Sequence, residues 1–234
     1  MSNAVLNPAA RIELLRHGNE RQPILVIDGF LADPEAWRDE AARRNFRQIG
    51  PHYPGLRAPV AEANARAMRD ELASLLAETF DLDPVPPVFE CYYSLVTTPP
   101  QALAPIQRLP HVDGLERDRI AILVFLSGTE SGGTAFYRQR ATGFETLDRE
   151  RFPRFEAELR AGVAQHGLPP PAYISGDTPL YEKIASYEGR PNRALIYRSR
   201  SLHCAEITAD APLPADPATG RLTINSFLFD PHRA

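Results

Sequence analysis

Apolar positions recur three and four residues apart over one stretch of the chain, and cluster in short runs over several others. From Val60 to Phe80, Met68, Leu72, Leu75, Leu76 and Phe80 share one face of a 3.6-residue repeat, which predicts the longest helix. Pro84, Pro86 and Pro87 stop it. An earlier helix is predicted from Asp33-Pro34, an N-cap followed by proline at the first helical position, to about Phe46. Ile24–Ile27 is a short apolar run ending at Asp28-Gly29 and reads as a strand. Residues 47–59 carry Pro51, Pro54, Gly55 and Pro59 and read as a loop.

Beyond Pro87 the pattern turns to strands. Val88–Thr97 is rich in aromatic and β-branched residues, and Arg119–Ser127 is a buried strand by composition. Gly128 and Gly132-Gly133 separate it from the next strand, Thr134–Arg138. Residues 138–190 then interrupt the β pattern. Phe152, Phe155, Leu159 and Val163 have helical spacing, closed by Gly167 and Pro169–Pro171, and Asp177-Thr178-Pro179 predicts a second helix reaching about Gly189. Strands resume at Arg193–Arg198, His203–Thr208 and Arg221–Phe229.

Helices first, then about eight short strands with one helical insertion, predict a mainly β fold with flanking helices. The expected architecture is a two-sheet sandwich or jelly roll with helices on one outer face. We expect one domain over 1–234: an N-terminal strand with supporting helices at 23–87, a jelly-roll core at 88–230, and a helical insertion at 138–190 acting as a lid. Alternating βαβ units are absent, as is a glycine-rich phosphate loop.

Composition narrows the function. The chain has 234 residues and a formal net charge of −4, and only Lys183 among its 26 Lys and Arg is a lysine. No polybasic run exists to neutralise phosphates, so nucleic acid is not an expected partner. Cys91 and Cys204 are too few for a disulfide scaffold or a four-cysteine zinc site. Met1–Arg16 has no signal-like apolar run, and the longest one, Ile120–Leu126, is too short to span a bilayer. We therefore expect a soluble cytoplasmic protein with no membrane partner. Any metal chemistry must come from the six histidines.

His111-Val112-Asp113 precedes the most buried strand, and in an extended chain residues i and i+2 share a face. The spacing alone is weak evidence. Six His and 13 Asp in 234 residues give about a one-in-three chance of some His-x-Asp. By itself the pair reads as a surface loop. His203 adds a second imidazole at the junction of two predicted strands, and two His with one carboxylate form the facial triad of non-haem Fe(II) sites. Its plain alternative is a hydrogen-bonded core histidine. Arg221 opens the last strand, where period two puts Arg221, Thr223 and Asn225 on one face and Leu222, Ile224, Ser226 and Leu228 on the other. A guanidinium facing a sandwich interior requires an anion, and a dicarboxylate would serve. Alone, Arg221 reads as an edge-strand residue in solvent. His17, His52, His166 and His232 read as surface residues, and alternation turns Cys204 away from the face of His203.

The His-x-Asp pair, the Gly-Gly-Thr turn, the Ser-Leu-His segment and the Gly-Arg-x-Thr strand, in that order, resemble the Fe(II)/2-oxoglutarate-dependent dioxygenases. The likeness is to the prolyl-4-hydroxylase-like branch and covers roughly residues 23–230. Three segments carry it: Ile24–Leu31 with the Asp-Pro-Glu helix start, Phe125–Phe136, and Asn192–His203. The connection from His203 to Arg221, with Pro212, Pro214 and Pro217, is longer than in that family. The resemblance implies a double-stranded β-helix with Fe(II) held by His111, Asp113 and His203. It also implies 2-oxoglutarate as cosubstrate, with Arg221 and Thr223 on its far carboxylate and Asn225 and Tyr93 (or Tyr92) beside it. The implied reaction consumes O2, releases CO2 and succinate, and hydroxylates an unactivated C–H of a small molecule, amino acid or peptide. Retention of Asp113 argues against halogenation, which in relatives needs that position vacated.

Two other classes compete. A jelly-roll binding module without redox activity gives no reason to keep His111, Asp113, His203 and Arg221 together. A cupin-type metalloenzyme would carry His-x-His, which this chain lacks. Arg138, Arg140, Arg149, Arg151 and Arg154 beside Phe144, Phe152 and Phe155 in the 138–190 segment read first as an ordinary solvated helix face, and second as a hint of an anionic or aromatic substrate.

Overall fold

The computed structural model describes residues 4–128 and 132–232. Ten strands and three α-helices follow one another: β1 (Arg11–His17), β2 (Gln22–Asp28), α1 (Pro34–Ala42), β3 (Gly55–Pro59), α2 (Glu62–Phe80), β4 (Val88–Val96), β5 (Ile120–Phe125), β6 (Gly133–Gln139), α3 (Phe152–His166), β7 (Tyr181–Glu188), β8 (Arg193–Arg198), β9 (His203–Glu206) and β10 (Arg221–Leu228). Seven strands form one sheet in the order β1-β2-β8-β5-β10-β4-β3, and three form a second, β7-β6-β9. Every neighbouring pair is antiparallel.

The central strand β5 shows why the layers form. All six of its residues are buried, so it needs an apolar cover on both faces. Ile120, Ile122 and Val124 point to one side and join a core with Trp37 of α1 and Met68, Leu72, Leu76 and Phe80 of α2. Ala121, Leu123 and Phe125 point to the other side and pack with Phe136 of the small sheet, alongside Leu195, Tyr197 and Phe227. The molecule is thus a sandwich of a large and a small sheet, with α1 and α2 on the outer face of the large one. Each fully buried Leu, Met or Phe of α2 contributes ~1.5–3 kcal/mol. The Asp33 carboxylate accepts from Ala36 N at 3.0 Å, with Pro34 following, so the expected cap of α1 forms.

Three expectations are corrected and one strand is added. The second helix expected at 177–189 is strand β7. Its start signal is real but closes a turn: Thr178 Oγ1 accepts from Leu180 N and Tyr181 N, and Asp177 Oδ1 accepts from Lys183 N. The chain then pairs with β6, whose free edge recruits it more strongly than helix propensity holds it. The expected loop at 47–59 contains β3, an edge strand where Pro59 is tolerated. Arg11–His17, which carries no strand signal of its own, forms edge strand β1 against β2. The first helix ends at Ala42 rather than about Phe46. The tip of the expected hairpin between Phe125 and Phe136, residues 129–131, lies outside the described residues.

Candidate metal and cosubstrate site

His111, Asp113 and His203 come together, with one ligand atom from each lying within 4.8 Å of the others. Backbone pairing accounts for this. His111 and His203 exchange two hydrogen bonds of 2.9 Å, N–H to carbonyl in each direction, and Asp113 N donates to Ser199 O at 2.8 Å. His111 is thus bridged to the first residue of β9, and Asp113, at a bend two residues on, is anchored to the segment before β9, which brings the three side chains together. Asp113 Oδ1 is 3.6 Å from His111 Nε2, and Asp113 Oδ2 is 3.3 Å from His203 Nε2. His203 Nδ1 lies 2.8 Å from Ser201 O, a carbonyl that can only accept. Nδ1 thus carries a proton, which leaves Nε2 facing Asp113: as a donor to its carboxylate while the ring is charged, and as a lone pair for a metal once the ring is neutral.

The electrostatics follow from this packing. Burial alone would raise the Asp113 carboxyl, but the charge and hydrogen bond of His203, with His111 and Arg119, hold it below the usual range. Burial alone would lower His203, yet Asp113 and the Ser201 carbonyl raise it. Burial and the neighbouring His203 lower His111. The His111 side chain is half exposed, whereas that of His203 is almost enclosed. His203 is ringed by aromatics, with Tyr197 at 4.9 Å and Phe136 at 6.0 Å between ring centroids.

The cluster borders a cavity of about 410 Å³. Arg221, Asn225 and Phe227 of β10 line it, and Leu222, Ile224 and Leu228 face the helices, as period two required. Arg221 is buried, donates from Nη2 to Gly133 O at 3.0 Å, and sits 5.5 Å from the centroid of Phe125. Burial lowers its pKa. Thr223 shares that face, but its hydroxyl donates to Asn225 Oδ1 at 2.7 Å.

Tyr93 is a correction. It pairs with Ile224, points to the helix layer and meets Trp37 edge to face at 6.3 Å, so it cannot reach the cavity. Tyr92, one residue away, is on the inner side near Arg57. His17 is also corrected: it is buried, stacked 4.4 Å from Phe136 and 3.2 Å from the Tyr187 hydroxyl. His166 and His232 are exposed, and His52 is exposed at the cavity's rim. Burial pushes the Cys204 thiol up to about 12, which disfavours a thiolate ligand.

The arginines of the 138–190 segment are largely absorbed by partners. Arg138 pairs with Glu145 and Glu182, Arg140 with Asp177, Arg151 with Glu20, and Arg154 stacks on Phe144. What that segment gives the cavity is Tyr173 and Ile174. Sequence reasoning also missed Tyr53 and Arg57, because the strand that carries Arg57 sits in a proline-rich stretch. No helix among the described residues is long and apolar enough to cross a membrane.

Several solved structures are similar to this chain. HygX from Streptomyces hygroscopicus with nickel and 2-oxoglutarate bound is 16% identical with a TM-score of 0.47, covering 89% of this chain and 84% of its own. AviO1 from Streptomyces viridochromogenes Tue57 is 16% identical with a TM-score of 0.46 and 87% coverage of both. An N-substituted L-amino acid dioxygenase from Burkholderia ambifaria AMMD is 12% identical with a TM-score of 0.42, covering 95% of this chain and 96% of its own. No curated protein matches the sequence. A family model described as a family of unknown function, DUF6445, matches residues 8–228. That match takes in both sheets, the cluster and the cavity, and the chain belongs to the DUF6445 family.

Proposed function

We propose that the protein is an Fe(II)- and 2-oxoglutarate-dependent oxygenase of the prolyl-4-hydroxylase-like branch, built on a jelly-roll core. It hydroxylates an unactivated C–H of a small molecule, amino acid or peptide. The observation that carries this reading is the convergence of His111, Asp113 and His203 on a cavity whose wall also holds the buried Arg221.

The donor set fits the metal. Two imidazoles and one carboxylate suit Fe(II), and three protein ligands would leave it positions for the cosubstrate and O2. Bound iron with 2-oxoglutarate supplies the oxidising power, drawn from O2 and the decarboxylation of the cosubstrate. The residues of this chain do the holding and orienting. The Ser201 carbonyl keeps the His203 ring in the tautomer that offers Nε2. Arg221 receives the far carboxylate of 2-oxoglutarate in a fork that its burial strengthens. Thr223 ties down Asn225, which lines the same wall as Arg221 and would help hold that carboxylate. Ala121, Leu123 and Phe227 make an apolar wall that excludes water. The 138–190 segment closes one side through Tyr173 and Ile174, which supports its role as a lid.

The test is spectroscopic. Anaerobic protein mixed with Fe(II) and 2-oxoglutarate should develop a visible metal-to-ligand charge-transfer band, and admission of air should release succinate. Absence of both overturns this reading and leaves the binding module.

A further inference from the structure

Arg57 sits in the cavity wall with no ion-pair partner among the described residues, and its buried Nε has no hydrogen-bond partner. Arg57 is half-buried, and a guanidinium nitrogen taken out of water without an acceptor is costly unless one arrives. Its surroundings hold it in place. The guanidinium stacks 3.9 Å from the centroid of Tyr53 and 5.5 Å from that of Tyr92. Its backbone exchanges hydrogen bonds of 2.8 and 3.0 Å with Arg47, while β4 pairs the other side of β3.

Arg57 is separate from Arg221. Ser94 of β4 stands between Thr223 and Arg57, and Val96 between Arg221 and Gly55. The two arginines thus lie two strands apart and in different cross-strand rows, with backbones about 10 Å apart across the sheet. The Tyr53 phenol feels both cations. Arg57 also lies near enough to His111 to lower it. Its neighbours in the wall are Gly50–Pro54, Ile106 and Gln107 at the rim, where Gln107 Nε2 donates to His52 O at 3.1 Å.

Asp113 is the only carboxylate among the described residues lining the cavity, and it faces the two histidines. Under the oxygenase reading, the metal's charge is met by Asp113 and one cosubstrate carboxylate, and Arg221 meets the other. Arg57 is left facing the rim.

We propose that Arg57 selects a substrate bearing a carboxylate, which it binds as a fork while the substrate's target C–H is held toward His111. This rests on the oxygenase reading. The anionic substrate hinted at by the 138–190 arginines is instead recognised by an arginine of β3.

The test is a calorimetric titration with a panel of aryl and alkyl monocarboxylates, each paired with its primary amide. Titrations use protein loaded anaerobically with Fe(II) and 2-oxoglutarate, and are repeated without either. Wild type should bind at least one acid tenfold or more tighter than its amide. Arg57→Gln should bring that ratio near one, and Arg57→Lys should restore part of it. A purely structural role would not move an acid-to-amide ratio or be rescued by charge. No acid preference across the panel overturns the proposal, as does a ratio unchanged in Arg57→Gln. A tenfold loss of 2-oxoglutarate affinity in Arg57→Gln also overturns it, because Arg57 would then serve the cosubstrate. A missing charge-transfer band in wild type counts against the oxygenase reading alone, and the metal-free ratio still judges Arg57.

Discussion

Nε2 of His203 lies 3.3 Å from Oδ2 of Asp113, although one begins β9 and the other precedes β5. The contact exists because His111 and His203 exchange two backbone hydrogen bonds. The donors are therefore held together by the sheet, without needing a metal to gather them.

Removing one donor should abolish metal-cosubstrate binding but leave the fold intact. His203→Ala should lose the charge-transfer band, with a metal affinity drop beyond the roughly 10–100-fold seen when only a ligand's hydrogen-bond partner is lost. Far-UV circular dichroism checks the fold, and a surviving band would remove His203 from the ligand set.

Arg221→Leu should raise the 2-oxoglutarate dissociation constant by about 100-fold. A forked pair of charge-assisted hydrogen bonds is worth about 3 kcal/mol, and 1.4 kcal/mol is tenfold. Titration of the charge-transfer band reads this directly. An unchanged midpoint would exclude Arg221 as the carboxylate anchor.

Tyr93→Phe should leave that same midpoint within twofold. The Tyr93 ring lies against Trp37 on the helix side of the large sheet, away from the cavity. A tenfold shift would mean that the helix layer reaches the cosubstrate.

Acid should destabilise the protein partly through His17, whose burial lowers its pKa to about 4. The unfolded chain binds a proton near pH 6.5 that the folded His17 refuses. Stability is thus complete above pH 6.5 and falls as pH drops toward 4, levelling below. By pH 5 the loss is about 2 kcal/mol, or about 4–8 °C in melting temperature for a chain of this size. His17→Phe should flatten that part of the melting-temperature profile.

Glu145→Ala should cost about 3 kcal/mol, or about 6–12 °C of melting temperature. This buried carboxylate accepts from Asn19 N at 2.8 Å and Glu20 N at 2.9 Å, and binds Arg138. It ties the turn between β1 and β2 to the small sheet. A melt within 2 °C of wild type would show that water replaces it.

Local chemistry made much of the fold legible. The spacing of Met68, Leu72, Leu76 and Phe80 specifies α2, and the apolar run of β5 requires two covers. Alternation along β10 set Arg221 and Asn225 on one face and Leu222, Ile224 and Leu228 on the other, and only the packing of the second sheet made the first of these the inner one. Where local signals were ambiguous, pairing decided. Thr178 caps a turn just as it would cap a helix, and only the edge of β6 makes the following residues a strand.

Side-chain chemistry and a period of two or 3.6 suffice for the residue types of the cluster, the shared face of Arg221 and Asn225, and the buried strands. Tertiary structure alone decided that Tyr93 faces the helices, that the arginines of 138–190 are mostly taken by partners, and that Arg57 faces the cavity. Those outcomes depend on which strands become neighbours, and neighbours distant in sequence are chosen by the burial of whole faces rather than by any one segment.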